Sequence, residues 1–125
     1  MPRHLLLVED EDAIREVAVV ALERVGGWRV TAAADGQLAL GLARTDPPDA
    51  ILLDVMMPGL DGPATLAALR REAVLAGVPV IFLTAKVQAT ERRRLIGLGA
   101  AGVIAKPFDP MELSREITNL LGFGP

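Results

Sequence analysis

The sequence predicts an α/β protein with a doubly wound parallel sheet, because short apolar runs and amphipathic stretches alternate five times along its 125 residues. Each apolar run is bounded by turn residues and ends at a polar or charged residue, which is typical of a strand buried in a parallel sheet. Strands and helices that alternate in this way form a sheet with helices on both faces. The length suits one domain, and we expect residues 1–125 to form it.

The predicted strands cover residues 4–8, 28–33, 50–53, 80–83 and 103–105. The first, third and fourth are continuous apolar runs, as expected for strands at the centre of a parallel sheet. The second alternates polar and apolar residues, which places it nearer an edge. A polar or charged residue follows each of four strands, and these residues are Glu9, Asp54, Thr84 and Lys106.

Apolar residues at helical spacing follow each predicted strand. Asp12 has the position of a cap for the first helix, and Asp61 that of a cap for the third. Asp109, Pro110 and Glu112 form a capping signature before the last helix. Glycine or proline residues end four of the five predicted helices, and one helix follows each predicted strand.

Composition excludes several classes of function. The chain has no cysteine, which rules out disulfides, thiolate metal sites and cysteine nucleophiles. A net charge of -3 gives no general attraction to nucleic acid or to an anionic membrane. No apolar run approaches the roughly 20 residues that span a bilayer, so we expect a soluble cytoplasmic protein. A lone histidine, His4, is expected to be structural.

The residues that end the strands are the candidate functional site. Ligands of open α/β sheets bind outside the carboxyl ends of the strands. Glu9, Asp10, Asp54, Thr84 and Lys106 should therefore meet at one edge, although they are far apart in sequence. Clustered carboxylates repel one another and need a cation, and ligands that are all oxygen favour Mg²⁺. The sequence therefore predicts a magnesium site at this edge.

Phosphoryl transfer is the chemistry that suits these groups. A carboxylate beside such a metal can attack phosphorus and form an acyl phosphate, which is the role predicted for Asp54. Lys106 would share the charge of the transferred group with the metal, and Thr84 would donate a hydrogen bond to it. Lys106 is notable because eleven of the thirteen basic residues are arginine.

Four motifs in order resemble those of the receiver domains of two-component response regulators, a superfamily that includes the chemotaxis regulators. An acidic pair follows the first strand, an aspartate in a longer motif follows the third, Thr-Ala follows the fourth and Lys-Pro-Phe follows the fifth. These motifs are VEDE at 8–11, LLDVMMPGLDG at 52–62, Thr84-Ala85, and Lys106-Pro107-Phe108. The resemblance covers nearly the whole chain and implies a flavodoxin-like (βα)5 fold with strand order 2-1-3-4-5.

The resemblance also assigns roles to individual residues. It implies that Asp54 is the phosphoacceptor and that Lys106 contacts the phosphoryl group. Asp10 would bind Mg²⁺ directly, Glu9 through water, and the backbone carbonyl of Met56 would be a further ligand. A cis peptide bond after Lys106 is common in the family and is expected here.

The resemblance implies partners as well. A sensor histidine kinase or a phosphotransfer protein would donate the phosphoryl group, and the phosphorylated surface would dock a downstream protein. We expect no direct contact with nucleic acid or membrane, and either a monomer or a phosphorylation-dependent dimer. The domain would be a signalling module with limited self-phosphorylation and self-dephosphorylation, rather than a metabolic enzyme.

One position departs from the family pattern. The family often has an aromatic residue three positions before the lysine, and that residue turns inward upon phosphorylation. Here the position is Val103, whose stiff side chain cannot act in this way. The switch would then depend on Thr84 with Ala85, while Met56 and Lys86 tune the lifetime of the acyl phosphate.

Other classes of function remain open on the sequence. An aspartyl-phosphate phosphohydrolase usually has a second aspartate two residues after the nucleophile, where this chain has Met56, which cannot transfer protons. A flavin-binding domain would offer backbone amides and hydroxyls after the first strand, not the acids of residues 9–12. A phosphorylation-independent interaction module of the same fold is the remaining alternative.

Overall fold

The computed structural model describes residues 2–123, in which five strands form one parallel sheet. The strands are β1 (His4–Val8), β2 (Arg29–Ala33), β3 (Ala50–Asp54), β4 (Val80–Thr84) and β5 (Gly102–Ala105). Their order in the sheet is β2-β1-β3-β4-β5, and every neighbouring pair is parallel. The predicted fold class and the flavodoxin-like strand order are both confirmed.

Five helices connect the strands and cover both faces of the sheet. They are α1 (Asp12–Val20), α2 (Gly36–Thr45), α3 (Gly62–Arg70), α4 (Ala89–Gly97) and α5 (Leu113–Leu121). A π-helical turn, Ala21–Val25, continues α1, and a 3₁₀ turn, Ala73–Leu75, follows α3. The predicted boundaries of the strands hold to within one residue, and each strand is followed by a helix as predicted.

Alternate residues of each central strand enter two different cores, because successive side chains of a strand point to opposite faces. On one face Leu6, Leu53 and Phe82 pack with α2 and α3. On the other face Leu52 and Leu83 pack with α1 and α5. All five residues of each of β1, β3 and β4 are buried, whereas β2 has one buried, two partly exposed and two exposed residues, as expected for a strand at the edge of the sheet.

The strand register aligns the carboxyl ends of the central strands. Val8 of β1 lies beside Leu53 of β3, and Asp54 lies beside Leu83 of β4. Thr84 lies beside Ala105, the residue before Lys106. Glu9 after β1, Asp54 at the end of β3 and Lys106 after β5 therefore emerge at the same edge.

Gly62 allows α3 to begin directly against this edge. A Cβ atom at this position would lie 2.5 Å from the Asp54 carbonyl oxygen and 2.8 Å from the Val55 Cα. Such contacts with backbone would force the two segments apart. Asp61 caps α3 by accepting a hydrogen bond from the Ala64 amide at 2.9 Å, as predicted. A glycine at residue 62 therefore lets α3 pack closely on the loop after Asp54.

One predicted cap is wrong. Glu11, not Asp12, is the cap residue of α1 and makes no capping hydrogen bond with its side chain. Asp12 is the first residue of the helix and pairs instead with Arg15, three residues along the helix.

The predicted cap before α5 lies one turn ahead of the helix. Asp109 accepts a hydrogen bond from the Met111 amide with its side chain and from the Leu113 amide with its carbonyl, both at 2.9 Å. It thus caps the turn that leads into α5, which begins at Leu113 directly after Glu112.

Among residues 2–123, the helices are all too short or too polar to cross a bilayer.

Candidate functional site

Three carboxylates meet at the carboxyl edge of the sheet. Glu9 and Asp10 follow β1, and Asp54 is the last residue of β3. One oxygen from each carboxylate lies within 4.8 Å of the other two. Glu9 and Asp54 are buried and Asp10 is partly exposed. The predicted acidic cluster is thus assembled by the parallel register of β1 and β3.

Lys106 brings a positive charge into this cluster. Its ammonium nitrogen lies 3.1 Å from Glu9 Oε1 and 3.1 Å from Asp54 Oδ1. Its side chain is only 14 % exposed, so water screens these charges weakly. The Lys106–Pro107 peptide bond is cis, as expected.

Glu9 is held by donors on both of its carboxylate oxygens. Oε1 accepts a hydrogen bond from the Lys106 ammonium at 3.1 Å. Oε2 accepts one from the Glu11 backbone amide, also at 3.1 Å. Protein groups therefore hold the Glu9 carboxylate in place. The neighbouring Asp10, by contrast, is partly exposed.

The Asp54 carboxylate is buried without hydrogen bonds. Its side chain is 1 % exposed, and neither oxygen accepts a hydrogen bond from the residues that the structure describes. The Lys106 ammonium is close to Oδ1 but lies outside hydrogen-bond geometry, so it contributes mainly as a charge. Buried polar atoms without partners are costly, and both oxygens are therefore free to meet an incoming ligand.

Burial and, after it, the nearby negative charge of Glu9 together raise the pKa of Asp54 to about 7. The Lys106 ammonium opposes both effects without cancelling them. For Lys106 itself, burial lowers the pKa, but its contacts with Glu9 and Asp54 outweigh burial and leave the pKa raised. Lys106 therefore stays charged, whereas Asp54 without a metal changes its charge near neutral pH.

The donor set fits a small hard cation. The cluster offers carboxylate oxygens alone, with no sulfur and no imidazole among the three residues. The two unpartnered oxygens of buried Asp54 and the partly exposed carboxylate of Asp10 can serve as ligands. Both Glu9 oxygens already accept hydrogen bonds, which agrees with a contact through water. The Met56 carbonyl stays a predicted ligand.

Thr84 ends β4 with a buried hydroxyl group. The hydroxyl oxygen accepts a hydrogen bond from the Lys86 backbone amide at 3.0 Å. Ala85 and Lys86, which follow, are exposed, and the Met56 side chain is 66 % exposed. The roles predicted for these residues in switching and in tuning the acyl phosphate stay predictions.

Val103 lies away from the carboxylates, in the core between the sheet and α4. It is 5 % exposed and belongs to the same apolar cluster as Phe82 and Leu95. His4 begins β1, at the other end of that strand from Glu9, and its ring contacts the Thr31 hydroxyl at 2.7 Å. Neither residue takes part in the acidic cluster.

The sequence did not identify Arg15 as a residue that contacts the site. Its guanidinium donates to the Glu9 carbonyl oxygen at 2.9 Å and to Asp12 Oδ1 at 2.6 Å. The spacing of Asp12 and Arg15 by three residues is a usable signal, since such residues are neighbours on a helix. The contact with Glu9 crosses the turn between strand and helix and has no sequence signature.

A five-stranded parallel sheet in this order, with an acidic cluster and a lysine at its carboxyl edge, is the architecture of a response-regulator receiver. Residues 5–118 match the family described as the response regulator receiver domain. The chain belongs to this family, and it is a receiver domain of two-component signalling.

Curated relatives match nearly all of the chain. The transcriptional regulatory protein CseB of Streptomyces coelicolor is 43% identical over 118 residues, which are 94% of this chain and 49% of that protein. The phosphate regulon transcriptional regulatory protein PhoB of Klebsiella pneumoniae is 40% identical over 117 residues, 94% of this chain and 51% of that protein. The chain thus spans about half the length of these relatives.

Solved structures of similar domains have the same fold. The chemotaxis response regulator CheY4 of Vibrio cholerae has a TM-score of 0.90 and 29% identity, with 96% of this chain and 99% of that one covered. The receiver domain of sensor histidine kinase PA1611 from Pseudomonas aeruginosa has a TM-score of 0.85 and 34% identity, with 98% and 99% covered. That structure has a magnesium ion coordinated in its active site cleft.

Proposed function

We propose that this receiver takes a phosphoryl group onto Asp54 in a Mg²⁺-dependent reaction. The observation that carries the proposal is the Asp54 carboxylate, which is buried, has no hydrogen bond on either oxygen and lies 3.1 Å from the Lys106 ammonium. A carboxylate in this state can react as a nucleophile once its negative charge is stabilised. The phosphoaspartate would then be the signalling form of the domain.

In the proposed reaction an Asp54 oxygen attacks the phosphorus atom of a phosphohistidine. A new oxygen–phosphorus bond forms, the nitrogen–phosphorus bond breaks, and the leaving imidazole keeps the electron pair and takes up a proton from solvent. The attack requires the carboxylate form, which the Lys106 ammonium favours by lowering the pKa of Asp54 against burial and Glu9. After transfer, the Lys106 ammonium stabilises the negative charge of the phosphoryl group on Asp54.

Asp10 and Asp54 are proposed to hold Mg²⁺ directly, with Glu9 acting through water and the Met56 carbonyl as a further ligand. A bound Mg²⁺ supplies positive charge that offsets the charge of the phosphoryl oxygens. Glu9 then has a second task, because its contact with Lys106 keeps the ammonium at the site. Thr84 would turn its hydroxyl toward the phosphoryl group and so weaken its contact with the Lys86 amide.

The proposal extends to the biological setting. The phosphoryl donor would be a sensor histidine kinase or a phosphotransfer protein, since His4 is buried in the sheet and offers no phosphohistidine of its own. A cytoplasmic location is part of this proposal, since the donor and the receiver must meet. We take residues 1–125 as one receiver domain, whose phosphorylated surface docks a downstream protein and which slowly hydrolyses its own acyl phosphate.

The test is intact mass spectrometry after incubation with Mg²⁺ and a small acyl-phosphate donor. The expected result is one added phosphoryl group in the wild-type protein, and none in Asp54→Asn or after chelation of the metal. Asp61→Asn is the matched control, because Asp61 is an exposed helix cap and asparagine caps equally well. It should be phosphorylated as the wild type is.

Two outcomes would contradict the proposal. An adduct that persists in Asp54→Asn would move the acceptor to another residue. A wild-type protein that binds Mg²⁺ and remains unmodified, even with phosphorylated kinase as the donor, would favour an interaction module that works without phosphorylation.

A further inference from the structure

The acidic turn between β1 and α1 needs more support than its own backbone supplies. Residues 9–12 are four consecutive acids, so their charges repel one another. β1 pairs with its neighbours up to Val8, and the Glu9 amide continues this pairing by donating to the Ala33 carbonyl of β2 at 3.1 Å. The Glu9 carbonyl lies beyond the pairing, so its position depends on contacts made by side chains.

Arg15 supplies those contacts from the first turns of α1. One guanidinium nitrogen, Nη1, donates to the Glu9 carbonyl oxygen at 2.9 Å. The other, Nη2, donates to Asp12 Oδ1 at 2.6 Å. Residues 9 and 12 are the two ends of the acidic turn, and a single planar guanidinium thus ties both ends together.

The surroundings of Arg15 make these contacts firm. Its side chain is 21 % exposed, which limits screening by water. Arg15 contacts the Glu9 backbone carbonyl, whereas Lys106 contacts the Glu9 carboxylate. Arg15 touches no carboxylate of the metal cluster, so it can act on the cluster only by holding the backbone that carries Glu9 and Asp10.

We propose that Arg15 is a positioning residue for the magnesium site, which fixes the acidic turn so that Glu9 and Asp10 converge on Asp54. This inference rests on the proposed function, since it concerns the affinity of the same site for Mg²⁺. Residues that orient metal ligands from outside the coordination sphere change metal affinity by about 10- to 100-fold when they are replaced.

The experiment measures the dissociation constant of Mg²⁺ by isothermal titration calorimetry, with no phosphoryl donor present. Arg15→Ala should weaken Mg²⁺ binding by about tenfold or more. Arg24→Ala is the matched control, because Arg24 is exposed in the π-helical turn that continues α1. The Mg²⁺ affinity of this variant should equal that of the wild type. Trp28 fluorescence, from the single tryptophan of the chain, reports whether each variant is folded.

Two further variants separate positioning from charge and from general stability. Arg15→Lys keeps the charge but cannot reach both acceptors in the same way, so it should recover only part of the affinity. Asp12→Asn weakens one of the two contacts and should give a smaller loss than Arg15→Ala. A merely structural role would lower the melting temperature of Arg15→Ala and leave the Mg²⁺ dissociation constant unchanged.

The outcomes distinguish this inference from the proposed function. A wild-type protein that binds no Mg²⁺ would overturn the proposed function itself. Wild-type binding of Mg²⁺ with an equal affinity in Arg15→Ala would overturn the positioning role and leave the proposed function standing. Full recovery in Arg15→Lys would also overturn it, since charge alone would then account for the effect.

Discussion

The Lys106 ammonium nitrogen lies 3.1 Å from Glu9 Oε1, although the two residues are 97 positions apart in the chain. Glu9 is fully buried, and Lys106 is the side chain that compensates its charge. The same ammonium lies 3.1 Å from Asp54 Oδ1, so it serves two carboxylates at once. Removing it would leave the buried Glu9 charge without a partner beside Asp54.

We therefore expect Lys106→Met to lower the free energy of unfolding of the metal-free protein by about 3 kcal/mol near neutral pH, because it breaks a buried ion pair. Urea denaturation followed by Trp28 fluorescence measures the change. Lys86→Met is the control, since Lys86 is exposed, and it should change stability by less than about 0.5 kcal/mol. Equal stability of Lys106→Met and wild type would mean that Lys106 does not compensate these charges.

Asp54 should make the stability of the metal-free protein depend on pH. Its pKa in the folded protein is raised to about 7, first by burial and then by Glu9. In the unfolded chain it should be about 4, so the folded state binds this proton more tightly. The resulting stability is fully present below about pH 4 and is lost as the pH rises through about 7.

Relative to Asp54→Asn, the wild-type protein in chelator should therefore lose roughly 2 to 3 kcal/mol of unfolding free energy between about pH 5 and about pH 8. Denaturation curves of the two proteins at each pH give this difference and remove the contribution of the other acids. A difference that does not change with pH would show that Asp54 stays ionised throughout.

Thr84 should matter for phosphorylation through its hydroxyl group. Thr84→Ala removes the donor proposed for the phosphoryl oxygens and the acceptor of the Lys86 amide. We expect its phosphorylation rate to fall by about tenfold to a hundredfold. Thr84→Ser keeps the hydroxyl and should remain close to wild type.

Thr90→Ala is the control for Thr84, because Thr90 is an exposed threonine in the first turn of α4. Its rate, measured with the same acyl-phosphate donor, should match that of the wild type. A normal rate in Thr84→Ala would restrict Thr84 to a structural role.

Val103 should affect stability without affecting phosphoryl uptake. It is buried in the apolar cluster that includes Phe82 and Leu95 and is not one of the residues of the acidic cluster. Val103→Ala leaves a cavity and should lower the free energy of unfolding by roughly 1 to 3 kcal/mol. Its phosphorylation rate, measured well below its melting temperature, should equal that of the wild type, and a large loss of rate would mean that residue 103 is coupled to the site.

Much of the fold could be predicted because it depends on local patterns. Continuous apolar runs predicted the buried strands β1, β3 and β4, and alternation predicted the edge position of β2. The parallel arrangement then required Glu9, Asp54 and Lys106 to meet at one edge, which they do.

The caps could not be predicted with the same success, because a carboxylate near a helix start has several possible partners. Asp12 pairs with Arg15, where a side-chain cap was expected, whereas Asp109 does cap the turn that leads into α5. An exposed ion pair and a capping hydrogen bond differ by about 1 kcal/mol or less, so neighbouring geometry decides between them.

The sequence by itself determined the family, through its motifs, and the strand order that this family has. It also determined which acids and which lysine lie at the carboxyl edge of the sheet. Only the tertiary structure decided how these groups divide their contacts. Both Glu9 oxygens accept hydrogen bonds, both Asp54 oxygens have none, and Arg15 holds the Glu9 carbonyl. Periodicity follows from the geometry of one segment, whereas these contacts depend on the distances and rotamers of side chains from segments distant in the chain.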